Sequence, residues 1–182
     1  MGMRLQLYSL SDGHVAALLA DPPLVWDVLG ADDPELREEG QAQSQGQAGL
    51  DLAPDEVETE DLDKAWHGIH YLLTGSAWEG EGPLGFICQG GRAVGDIDTG
   101  YGPARALDAA EVKAIAAALA DVDAARLAGR FDPAAMAAQD IYPNIWDEGD
   151  EALAYCQQAY ASMQAFVART AQRGYGMLIC MG

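Results

Sequence analysis

The chain is poor in positive charge: 10 Lys and Arg stand against 29 Asp and Glu in 182 residues, a formal net charge of −19. A nucleic-acid backbone is bound nonspecifically through many Lys and Arg contacts, so this balance excludes nucleic acid as a partner and disfavours anionic membrane surfaces. Long apolar runs are also missing, since none approaches the roughly 20 residues that cross a bilayer. The opening MGMRLQLYSLSDGH lacks a basic segment followed by a long apolar one. The expectation is a cytoplasmic protein without a membrane role. The three cysteines, Cys88, Cys156 and Cys180, are odd in number and widely spaced, which argues against a disulfide framework or a Cys-x-x-Cys motif. No phosphate-binding glycine motif follows a strand, and no serine or cysteine stands in a nucleophile elbow. With only His14, His67 and His70 to draw on, no complete catalytic set is visible and no cofactor is implied.

What is present fits a single domain with a core of ordinary size. Residues 3–10 alternate apolar and polar, the period of a strand with one buried face. Short helices are expected over residues 12–20 and 23–29, punctuated by Asp21, Pro22 and Pro23. Residues 31–60 are rich in Gln, Gly and acid, with too few large apolar groups to offset the entropy of ordering, and read as a mobile loop. Asp61 is placed to cap a third helix whose Ala65, Trp66, Ile69, Leu72 and Leu73 form one apolar stripe. Residues 84–88 and 93–97 flank a Gly-Gly turn and suggest a hairpin. Asp108 and Glu111 make a capping box for a fourth helix, Asp132-Pro133 starts a fifth, and residues 150–173 carry the stripe of a sixth. The closing GYGMLICMG reads as a buried strand. The fold class is α/β, with α+β as the alternative: a small mixed sheet with strands from both termini, surrounded by five or six helices.

Residues 61–73, DLDKAWHGIHYLL, gather two histidines, a tryptophan and two acids. Asp63, His67 and His70 fall at offsets of four and three, a weak candidate set for a divalent metal. A buried histidine bonded to a backbone carbonyl is the commoner outcome at such spacing, so no metal is assigned. Gly68 costs about 1 kcal/mol in a helix relative to alanine, which points to close approach by another segment. GYGPAR, residues 100–105, sets Tyr101 and Arg105 around a Gly-Pro turn, where a guanidinium suits an anionic ligand or loop carbonyls. Trp66, His67, His70, Tyr101 and Arg105 are therefore expected around one ligand pocket.

The acids concentrate in the first third, where residues 1–63 carry a net charge of −13. The block Asp51, Asp55, Glu56, Glu58, Glu60, Asp61 and Asp63 contains no basic residue and would steer a basic protein partner in a salt-dependent way. A non-catalytic binding protein follows, of which an immunity-type inhibitor is one form. The alternative is a small-molecule-binding protein or a metal-dependent enzyme built on His67, His70 and Arg105. No oligomeric state is specified.

The segments DKAWHGIHYLLTG, PLGF, GYGPAR and FDPAAMAAQDIYP together resemble the YfbM-like family of small bacterial proteins. That resemblance covers most of the chain after Leu62. It implies a single α/β domain in a bacterial cytosol and transfers no catalytic residue, because the family has no established function.

Overall fold

The computed structural model describes residues 2–30 and 49–182, so most of the loop expected over 31–60 lies outside the described residues. Five strands form one sheet in the order β2-β1-β5-β4-β3: β1 Leu5–Leu10, β2 Thr59–Asp61, β3 Arg92–Asp98, β4 Pro103–Leu107 and β5 Gly176–Met181. Strands from both termini meet at its centre, where Leu5 pairs with Met181 and Leu10 with Gly176. The sequence suggests a mixed sheet, but all four pairings are antiparallel.

Eight helices accompany the sheet among the described residues: α1 Asp12–Ala20, α2 Val25–Leu29, α3 Trp66–Thr74, α4 Phe86–Gln89, α5 Ala109–Ala120, α6 Ala124–Arg130, α7 Pro133–Ala138 and α8 Asp150–Gln172. The sequence expects β1 to bury one face, yet it buries both. Leu5 and Leu7 join Met177 and Ile179 in a core roofed by α3, α5 and α8. Tyr8 and Leu10 join Leu178, Val94 and Ala106 in a second core under α1 and α2. Helices on both faces explain why β5 reads as an unbroken apolar run.

Three local expectations are corrected. Residues 84–88 are not a strand: Pro83–Gly85 form a 3-10 turn leading into α4. The partner of β3 is instead β4, closed by a turn in which the Asp98 carboxylate accepts the amide N–H groups of Gly100 and Gly102. Those glycines adopt φ of 148° and 98°, a region that penalises side chains. Asp61 does not cap α3, because the backbone of β2 pairs with β1 through Asp61, and Ala65 occupies the cap position.

Gly68 meets its expectation: an added Cβ would lie 2.5 Å from the Trp146 ring and 2.8 Å from Cys156 Sγ. That contact seats α3 on the start of α8. Gly68→Ala should therefore destabilise the fold by about 1 to 3 kcal/mol through overpacking, despite its gain in helix propensity, a sign that urea denaturation would read directly.

Candidate functional site

His67 is wholly buried on α3 and its ring is fully committed. Its Nδ1 accepts the Tyr142 amide N–H at 3.0 Å, so Nε2 carries the proton and donates to the Ala77 carbonyl at 2.7 Å. The ring is stacked on Trp66, with centroids 4.8 Å apart and planes 11° off parallel. Trp78 packs against it at a tilt of 38°, with centroids 4.4 Å apart, while remaining 55% exposed. Burial lowers the His67 pKa, and the bond to Ala77 opposes that shift.

His70, one turn on, is also buried. Its Nε2 donates to the Glu79 carbonyl at 3.1 Å, and Nδ1 has no hydrogen-bond partner among the described residues. Desolvation pulls its pKa down to about 4; the bond to Glu79 opposes that shift and the nearby Arg105 guanidinium adds to it. Arg105 lies on β4 with its guanidinium turned inward, donating to the carbonyls of Ile87, Gly90 and Phe86. The Phe86 carbonyl also accepts the Gly90 amide N–H at 2.9 Å, while those of Ile87 and Gly90 are acceptors around the end of α4 that a cation satisfies well.

His70 and Arg105 therefore clamp one stretch of chain, residues 79–90, from behind. The front of that stretch faces the first turns of α5 across a cleft of about 380 Å³, lined by Pro83, Phe86, Gln89, Leu107, Glu111 and Ile115 among others. None of the five expected pocket residues lines this cleft. Tyr101 sits on the β3–β4 turn, 54% exposed, with its amide bonded to the Met181 carbonyl.

Asp63 is not brought to the imidazoles. It pairs with Arg4 at 3.1 Å and accepts the Tyr155 hydroxyl at 2.8 Å. Among the described residues no group of three or more His, Cys, Asp or Glu is arranged to hold a metal. The thiols are free, and burial pushes Cys88 up to about 11 and Cys156 to about 12, so neither is a ready nucleophile.

The acidic block finds partners that its own sequence lacks. Glu56, only 4% exposed, pairs with His14 at 2.6 Å. Glu58 pairs with Arg169 and Arg173, and Asp61 with Arg4 at 2.7 Å. Asp51 and Asp55 remain exposed, with Glu60 half-buried. Asp63 borders a second, open groove of about 580 Å³ that sequence reasoning missed. There Glu148, just before α8, and Glu151 in its first turn join it around Pro143, Ile145 and Tyr155, with Lys64 as the one cation in the lining among the described residues.

The family model for a domain of unknown function, DUF1877, matches residues 1–180. The chain belongs to the DUF1877 family. The DUF1877 fold is shared with a solved structure, the protein of unknown function YfbM from Escherichia coli, at a TM-score of 0.68 and 15% identity, covering 98% of this chain and 99% of that one. No match was found among curated proteins.

Two measurements check the clamp. In the folded state His70 stays neutral down to about pH 4, whereas in the unfolded chain it takes up a proton near pH 6.5. Its contribution to stability is therefore complete above about pH 6.5 and is lost as pH falls through that window. Between pH 7.5 and 5 the loss should be on the order of 2 kcal/mol, and His70→Gln should remove this part of the acid sensitivity. Arg105→Lys replaces the guanidinium fork with a point donor and should cost about 2 kcal/mol by leaving buried carbonyls unpaired, seen as a lower denaturation midpoint.

Proposed function

We propose that this DUF1877 protein is a non-catalytic binding protein whose acidic surface engages a basic protein partner, as an immunity-type inhibitor would. The observation that carries the reading is the open groove where Asp63, Glu148 and Glu151 surround an apolar floor of Pro143, Ile145 and Tyr155. An aliphatic stem with a cationic head, the shape of lysine or arginine, complements such a groove. Asp51 and Asp55, exposed on the same third of the sequence as Asp63, add to the long-range field that draws a basic protein in. Further support comes from the groups suited to acid–base chemistry, which have structural duties: His67 bonds two backbone segments and Arg105 caps a helix.

Glu148 and Glu151 flank the N-terminus of α8 and also favour the positive end of its dipole, so their substitution must be read against a stability control. Calorimetry with basic proteins encoded beside this gene, at about 50 and about 200 mM salt, should show binding that weakens with salt. The pair Glu148→Gln and Glu151→Gln should weaken binding about tenfold with a melting temperature close to wild type. Salt-independent affinity, or binding indifferent to both substitutions, would overturn the reading.

A further inference from the structure

We propose that the cleft between α5 and residues 80–91 is a binding site for a small organic cation, an ammonium group carried on an apolar body. This is independent of the partner-binding groove, with which it shares no residue. The volume of about 380 Å³ falls within the roughly 300 to 1,000 Å³ of small-molecule sites. Phe86, Leu107 and Ile115, each nearly fully buried, supply an apolar floor.

The polar lining selects the ligand's charge. Among the described residues, Glu111 is the only charged side chain in the lining. Its Oε2 accepts the Asp108 amide N–H at 2.8 Å, which occupies one of about four acceptor positions on the carboxylate. Gln89 gives one of its two Nε2 hydrogens to the Trp78 carbonyl, and its own carbonyl oxygen offers a second acceptor. The Glu111 carboxylate recognises N–H groups and disfavours an anion, with the Gln89 carbonyl as a neutral second acceptor. The net charge of −19 acts in the same direction by concentrating cations around the molecule.

Beside Pro83, Phe86 and Gln89, the wall opposite α5 is glycine backbone at Gly80, Gly82, Gly90 and Gly91, and close packing at Gly80, Gly90 and Gly91 leaves little room for side chains. A Cβ on Gly85 would run into the Gly80 carbonyl oxygen, and one on Gly91 would lie 2.9 Å from that of Ala106, at a φ of 82°. Behind this wall, His70 holds Glu79 while Arg105 holds Ile87 and Gly90. A cleft clamped in this way loses little entropy when a ligand enters.

The test uses 2-phenylethylammonium, with neutral 2-phenylethanol and anionic 3-phenylpropionate as isosteres, titrated to about 10 mM while amide NMR shifts are followed. Saturable shifts at Gly90, Gly91 and Glu111 are expected for the cation alone. Glu111→Gln keeps the capping box, because glutamine also accepts the Asp108 amide, but removes the charge. It should weaken binding about tenfold at unchanged melting temperature. Ala114→Trp, at an exposed position on the lip of the cleft, should abolish binding by filling it. Equal binding of the three probes, saturable binding that Glu111→Gln leaves intact, or shifts located elsewhere would each overturn the assignment.

Discussion

The bridging of three separate chain segments by His67 is the constraint around which the rest is arranged. One neutral imidazole accepts from the backbone at Tyr142 and donates to the backbone at Ala77. It thereby ties α3 to the loop before α8 and to the glycine-rich stretch after α3. A buried backbone amide without a partner costs about 1 to 3 kcal/mol, so the ring satisfies two such groups in a single residue. Only histidine among the side chains offers a ring acceptor and a ring donor on opposite sides in an apolar setting. Gly68 beside it removes the side chain that would otherwise keep Trp146 away, and Trp66, stacked on the ring, and Trp78, tilted against it, pack around the imidazole.

Periodicity makes the long elements legible in the sequence alone. The stripe of residues 150–173, the capping box at Asp108 and Glu111 and the two terminal strands all carry local signals that tertiary context reinforces. Among the short elements between residues 76 and 107, the strand expected over 93–97 is present as β3, but α4 and β4 are not legible in that way. Phe86–Gln89 is only four residues long, and it is helical because Arg105, nineteen residues away from Phe86, caps its carbonyls. No local propensity contains that information. The same holds for Asp61, whose preference for a helix cap gives way to pairing between β2 and β1.

For the site, residue types are more legible than the directions in which side chains point. His70 and Arg105 do act together, but on the rear of the 79–90 stretch rather than in a hollow. Glu111 stands out in the sequence only as a cap, although the same carboxylate borders the cleft beside α5. The acidic block looks unpaired along the chain because its cations come from positions 4, 169 and 173, and an imidazole partner from position 14, remote in sequence and adjacent in space. Electrostatic balance is set by the fold, and a linear count of charges misses such long-range neutralisation.

The antiparallel pairing of β1 with β5 has a consequence for how the molecule is made. The two central strands are far apart in the sequence, with Leu5 opposite Met181. During synthesis the first strand waits for its innermost neighbour until Met181 has left the ribosome. Nonlocal closure of this kind raises contact order and slows folding. The helices α3, α5 and α8 can form locally in the interim, while the strand that organises both cores is completed last.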